Sequence, residues 1–300
     1  MKRIEVYIIS GFLGSGKTTL LKELMHRCVC ENGHTIILEN EFGKIDFDGE
    51  ALALTGVDVE SVVAECICCG GAETMLDKLR AFKTKGLSRL FVEPSGVARL
   101  SDVRRIFSYP DIREFYELKC VLAIIDACNG FKWNKIAGVL FENQIRFSDV
   151  VYVSKKDLVT ACQLTEIKKL ITSIKPDASI LDNISGIIEW NNGKINKPNL
   201  IYERAENMQE IEVCSVTLDG IVSKSGLQSF FEKMKTGYFG KVFRLKGVLR
   251  MENGCCSVDG VAETITNTFT DNNVPNSRIS FIGMDLKKEL IENELKELSR

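Results

Sequence analysis

Three things are missing from this 300-residue sequence, and each absence excludes a class of protein. Charge of one sign is not in excess: 39 Lys and Arg face 41 Asp and Glu, a formal net charge of −2. No overall basic field exists to attract nucleic acid, so none is expected as a partner. Long apolar runs are absent too. The most apolar stretch, Val121–Ala127 (VLAIIDA), is short and holds an aspartate, whereas a bilayer span needs about 20 apolar residues. The opening MKRIEVYIIS has no extended apolar region with a small-residue cleavage site. The expected location is therefore cytoplasmic, with no membrane partner. Finally, no internal repeat, heptad run or low-complexity tract is visible, which argues against solenoids and coiled coils. What remains is 45% hydrophobic, enough for the core of one large domain or two.

Cysteine, by contrast, is abundant, at eleven residues. In the cytoplasm these are expected to be mostly reduced, as buried small hydrophobes or as metal and redox groups. Cys120, Cys128, Cys162 and Cys214 stand singly in or near apolar stretches and read as packing residues. Cys66-Ile-Cys68-Cys69-Gly-Gly is different, because three closely spaced thiols suffice for a soft metal such as Zn²⁺ or Cu(I). Adjacent cysteines do not easily reach one ion in the same geometry. Two of the three with an outside ligand, such as Glu39 or Glu41, form the expected shell. A redox-active or simply buried cluster is the alternative. A second group, His26, Cys28, Cys30 and His34, holds both histidines of the chain. His26 and Cys30 share a helix face only if the helix runs that far, and Glu31-Asn32-Gly33 is expected to fray it. Cys255 and Cys256 fall in a strand pattern, where neighbours face opposite ways and do not chelate together.

The first two thirds of the chain alternates apolar runs with helical patterns. Strands are predicted at Ile4–Ser10, Thr35–Asn40, Arg89–Glu93, Val121–Asp126, Val150–Ser154 and Ala178–Leu181. These are near-continuous Ile, Val and Leu runs, which is how strands buried on both faces of a parallel sheet read. Helical patterns lie between them, at Thr18–Cys28, Ala72–Lys85, Val103–Ser108, Asn134–Ser148 and Thr165–Ile174. The fold class is thus α/β, with a mostly parallel sheet and helices on both faces. WNNGKINKPN reads as a linker. After it, strands cluster at Ile211–Leu218, Val242–Met251, Cys255–Asp259, Glu263–Phe269 and Arg278–Gly283, flanked by helices at Gly226–Lys235 and Leu286–Leu298. This implies a smaller α+β domain with antiparallel strands. Domain boundaries are expected at 1–205 and 206–300.

Gly11-Phe-Leu-Gly-Ser-Gly-Lys-Thr18 fits G-x-x-x-x-G-K-[ST] in full, between a strand and a helix pattern. Its glycines, Gly11, Gly14 and Gly16, let the backbone wrap a phosphate chain, and the new helix presents its positive end to the same anion. Lys17 is expected to reach the β- and γ-phosphates and Thr18 to ligate Mg²⁺, with Ser15 and Thr19 in the same cradle. Ser154-Lys155-Lys156-Asp157 ends a strand and resembles the Asn-Lys-x-Asp guanine motif of P-loop GTPases. A carboxylate there accepts both ring N–H and 2-amino donors of guanine, which adenine lacks. Serine in place of asparagine is the departure. Leu90-Phe-Val-Glu93-Pro-Ser-Gly96 ends a strand in ExxG. Glu93 would approach Mg²⁺ through water, and Gly96 would offer its amide to the γ-phosphate.

Together these residues resemble the CobW family, a branch of the metal-handling P-loop GTPases related to HypB and UreG. The resemblance rests on GFLGSGKTTLL (11–21), ENEFGKIDFDGEAL (39–52), CICC (66–69), VEPSGVA (92–98), VYVSKKDL (151–158) and RLKGVLRM (244–251). It implies a GTPase domain followed by a CobW C-terminal domain. It also implies slow GTP hydrolysis coupled to binding and delivery of a transition metal, zinc or cobalt, to a client metalloprotein, and it allows a homodimer. Carried over by position, Gly11 to Thr19 hold phosphates and Mg²⁺, Glu93 and Gly96 belong to the second switch, Lys155 and Asp157 hold the base, and Cys66, Cys68 and Cys69 are the metal motif. Glu39, Asn40 and Glu41 fall in a switch segment that places acidic metal ligands. Lys44 stands where the family usually has an acid, Ala64-Glu65 stands where Asn-Gly is common, and the histidine-rich stretch of many members is absent. Two other readings stay open: a GTPase that matures a corrinoid or other metalloenzyme without carrying free metal, and a metal or redox sensor that uses GTP structurally.

Overall fold

The computed structural model describes residues 3–28, 34–41, 58–63, 71–191, 212–261, 264–271 and 274–299. It divides into two compact units, Met1–Glu206 and Asn207–Arg300. None of its described helices is long and apolar enough to cross a membrane.

The first unit is built on β1 (Ile4–Gly11), β2 (Thr35–Glu41), β3 (Asp58–Val63), β4 (Arg89–Glu93), β5 (Tyr116–Asp126), β6 (Val150–Ser154) and β7 (Ser179–Leu181). Among the described residues they form one sheet in the order β3-β2-β4-β1-β5-β6-β7, and every pairing is parallel. The helices are α1 (Lys17–Cys28), α2 (Gly71–Phe82), α3 (Leu100–Ile106), α4 (Pro110–Arg113), α5 (Gly130–Arg146), α6 (Ala161–Ile174) and α7 (Ile184–Asn191). Alternate residues of each strand enter different cores. Ile4, Val6, Ile8, Leu90 and Val92 pack with Met75 and Leu79 of α2 and Val103 of α3. Ile9, Ile37, Phe91, Leu122 and Ile124 pack with Leu20, Leu21 and Leu24 of α1 and Ile187 of α7. Helices on both faces are why the strands read as unbroken apolar runs.

The differences from expectation are local. Strand β3 was not legible, because DVESVV carries polar residues suited to the sheet edge it occupies. Strand β5 begins at Tyr116 rather than Val121. Helix α7 (Ile184–Asn191) was not among the predicted helices, and its last two residues, Trp190 and Asn191, had read as the start of a linker; residues 192–211 lie outside the described residues.

The second unit contains β8 (Glu212–Leu218), β9 (Lys241–Met251), β10 (Gly254–Val261), β11 (Thr264–Thr270) and β12 (Ser277–Met284), with α8 (Lys224–Lys235) and α9 (Lys288–Leu298). The strands form an antiparallel sheet in the order β11-β10-β9-β12-β8. Its core joins Leu227, Phe230 and Met234 of α8 and Ile291 and Leu295 of α9 to Val216, Leu245, Leu249, Ile279 and Phe281 of the sheet.

Candidate functional site

Strand β1 lies between β4 and β5, so the loops leaving all three meet at the carboxyl edge of the sheet. Successive connections turn to opposite sides there, which opens a crevice suited to a ligand. The loop after β1 fills this position. Gly14 and Gly16 have φ of +71° and +96°, a region open to glycine at little cost. The loop closes on itself with Ser15 N–H donating to Phe12 O at 3.1 Å. Phe12 anchors it from below, 4.4 Å from the Trp133 ring and buried. Helix α1 then starts at Lys17 with no acidic residue in its first turn, so its positive end is unopposed by a local carboxylate. The Lys17 amine donates to Gly11 O at 3.1 Å and so lies back over the loop. Thr18 is half-buried and Thr19 is exposed.

The strand carrying the guanine-like motif is bonded to this loop. Ser154 Oγ, buried at the end of β6, donates to Ser15 O at 2.7 Å. The serine that departs from the usual asparagine thus reaches the phosphate loop itself. Lys155 donates to Gly14 O at 2.6 Å and to Asp126 Oδ2 at 2.7 Å. Its backbone is left-handed, φ 55°, which costs a non-glycine residue energy and is held where surrounding contacts over-determine it. Asp157 follows on the exposed surface.

Asp126 was not singled out from the sequence. Its carboxylate receives Lys155, the Cys128 and Asn129 N–H groups at 2.8 and 3.3 Å, and Asn129 Nδ2 at 2.8 Å. The signal was available: an aspartate closing the most apolar run of the chain. Gln144, on α5, was missed as well. It is fully buried, and its Nε2 donates to Gly96 O at 3.2 Å.

On the other side of β1, Glu39 and Glu93 stand in register across β2 and β4. Glu39 is buried and Glu93 half-buried. These carboxylates and the Thr18 hydroxyl are oxygen donors, the type Mg²⁺ takes. Gly96 lies flush on the phosphate loop. A Cβ there would come within 2.9 Å of Leu13 N, so only glycine fits.

Cys66, Cys68, Cys69 and Lys44 lie outside the described residues, and Glu41 is described for its backbone alone. Of the second cysteine–histidine group, Cys30 lies outside them, and the side chains of His26 and Cys28 are likewise not described. His34 Nδ1 sits 3.2 Å from the Lys85 carbonyl, so that nitrogen is a donor there. Among the described residues no group of three His, Cys, Asp or Glu is placed to hold a metal ion.

A glycine-rich turn between a central parallel strand and a helix start, tied to the strand that ends in Ser154-Lys155-Lys156-Asp157 and faced by an ExxG segment, defines the class of P-loop nucleotide-binding proteins. Residues 5–182 match the family model described as CobW/HypB/UreG, nucleotide-binding domain, and residues 211–299 match that of the cobalamin synthesis protein cobW C-terminal domain. The chain belongs to the CobW family of metal-handling P-loop GTPases. It is 26% identical over 315 residues to the zinc chaperone YjiA of Escherichia coli K12, covering 97% of each chain. It is 24% identical over 226 residues to the zinc-regulated GTPase metalloprotein activator 1 of Dictyostelium discoideum, covering 62% of this chain and 47% of that one. The crystal structure of Zn(II)-bound YjiA GTPase from E. coli aligns over 100% of both chains at 22% identity and a TM-score of 0.47.

Proposed function

We propose that this protein is a GTP-hydrolysing metallochaperone that couples nucleotide state to binding and delivery of a transition metal, zinc in the first instance. The observation that carries the nucleotide half is the joint between Lys155, Gly14 and Asp126, which locks base-recognition strand and phosphate loop together. In this reading Gly11, Gly14, Ser15, Gly16, Lys17, Thr18 and Thr19 hold the phosphates. Asp157 accepts the two guanine donors, Ser154 and Lys155 set the height of the base above the loop, and Gly96 offers its amide to the γ-phosphate. Thr18 directly, and Glu93 through water, would hold Mg²⁺, which supplies charge neutralisation when the γ-phosphoryl group passes to water. Lys17 and the loop amides stabilise the same charge.

The metal half rests on the Cys66-Ile-Cys68-Cys69 spacing and on the family. Two or three of these thiolates, with Glu39 or Glu41, form the cargo site. Thiolates with a carboxylate suit Zn²⁺ and accept Co²⁺. The residues 1–205 form the GTPase domain in this proposal, and 206–300 the CobW C-terminal domain. The partner is a client metalloprotein in the cytoplasm.

The test is a competitive Zn²⁺ titration of the reduced, metal-free protein, with Mg²⁺ and a non-hydrolysable GTP analogue and again with Mg²⁺ and GDP. Linkage makes the effect reciprocal, and a coupling of typical size changes affinity ~5–150-fold. Coincident curves would uncouple the cysteines from the GTPase and leave metalloenzyme maturation or sensing as the better account.

A further inference from the structure

We propose that Gln144 is a positioning residue for nucleotide sensing: it holds the Gly96 carbonyl so that the Gly96 amide stays aimed at the phosphate loop. The proposal rests on the reading of Gly96 given above.

The argument starts from where Gln144 sits. It lies in the buried stripe of α5, one turn after Leu140 and Phe141, at a position an apolar side chain would fill at lower cost. Its relative exposure is 0%. The atom facing Gly96 O must be the nitrogen, since a carbonyl only accepts. The other half of the amide, Oε1, is buried with no hydrogen-bond partner among the described residues. A buried amide with one half unmet is costly, so the position calls for a role that packing does not supply.

That role follows from what the amide grips. Gly96 is pinned between two fixed bodies, with Leu13 of the phosphate loop on one side and Gln144 on the other. The next residue of α5 along the chain towards its start, Asn143, is also fully buried. Its Oδ1 accepts from Ser101 N at 3.3 Å, and its Nδ2 donates to Ser101 Oγ at 3.1 Å. Two adjacent amides of one helix thus hold both ends of the stretch 96–101. The same stretch of helix presses Phe141 against Phe12 beneath the loop, and Trp133, which precedes a kink in α5 at Ala137, packs on Phe12 as well. Phosphate loop and ExxG segment are therefore held to a common support, with the Gly96 carbonyl as pivot and its amide as the pointer. Oε1 shares a carbon with the nitrogen that donates to Gly96 O. It can take a backbone N–H there as the segment shifts between nucleotide states.

The experiment uses the full-length protein and three measurements: kcat and KM for Mg²⁺–GTP, and affinities for a GTP analogue and for GDP. Gln144→Met keeps the volume and removes the donor. The expected result is GDP affinity within about two-fold of wild type, with kcat and GTP-analogue affinity each down about ten-fold. Gln144→Glu adds a readout that a structural role would not move. Its protonated carboxyl can donate to Gly96 O and its carboxylate cannot, and burial raises its pKa. Its kcat relative to wild type should therefore recover as pH falls. If GDP and analogue affinities drop together in the Met variant, or neither changes, or the Glu variant shows no pH-dependent recovery, the proposal is overturned. A wild-type protein that binds neither nucleotide would instead remove the guanine-nucleotide reading, and this proposal with it.

Discussion

At the scale of single residues, Lys155 shows how a charged side chain can serve structure and site at once. Its amine joins two loops, and its backbone is held in a conformation it would not choose alone. The sequence reveals the motif but not this joint, because Asp126 and Gly14 are distant in the chain. Cysteines taught the opposite lesson. Cys120 and Cys214 are buried as their apolar neighbours suggest, but Cys128 and Cys162 are exposed. Cys128 follows the end of a strand, and Cys162 opens a helix on its outer face; apolar sequence neighbours do not say which way a residue points. Burial pushes the Cys214 and Cys256 thiols up, and slight desolvation at the protein surface, with the neighbouring Asp126 carboxylate, raises that of Cys128. Among the cysteines whose side chains are described, mild alkylation at neutral pH should therefore modify Cys162 before Cys128. Cys120, Cys214, Cys255 and Cys256 should stay protected until the protein unfolds, as peptide mass mapping would reveal.

At the scale of elements, the ladder between β5 and β6 is reinforced by one buried ion pair. Arg104 of α3 donates to Asp149 Oδ1 at 2.8 Å and to Phe147 O at 2.8 Å, while Asp149 Oδ2 accepts from Val121 N. Both side chains are under a tenth exposed. Asp149→Ala would strand a buried guanidinium and leave a strand N–H unmet. The expected loss is about 3–5 kcal/mol in a denaturant titration, and a cost under 1 kcal/mol would show that water reaches the site. Strand and helix identities were legible wherever periodicity was strong. They failed where it was weak: at β3, whose DVESVV mixes polar and apolar residues, at the four-residue α4, too short to leave a pattern, and at the eight-residue α7. Likewise Gln144 was hidden because a sequence does not distinguish a buried amide from one at the rim of the same helix.

At the scale of the whole molecule, each of the two units has its own core. A ligand that binds only the first unit should raise its unfolding transition selectively, by about 2.7 kcal/mol at a hundred times Kd. Calorimetry with and without Mg²⁺–GDP checks this: two transitions of which one moves, against a joint shift that would make the units one cooperative body. The strand order has a further consequence, for synthesis. Strand β1 leaves the ribosome early, but its sheet partners are β4 and β5, with Glu5 in register with Arg89 and with Glu117. The phosphate loop hangs from a strand that has no neighbour until those segments arrive. At roughly 5–20 residues per second the chain spends seconds with its nucleotide loop unsupported. The strand that carries Ser154, Lys155 and Asp157 arrives later still, as β6, so a guanine nucleotide meets the nascent protein only after both β5 and β6 have joined the sheet, as a ligand that traps the newly formed fold.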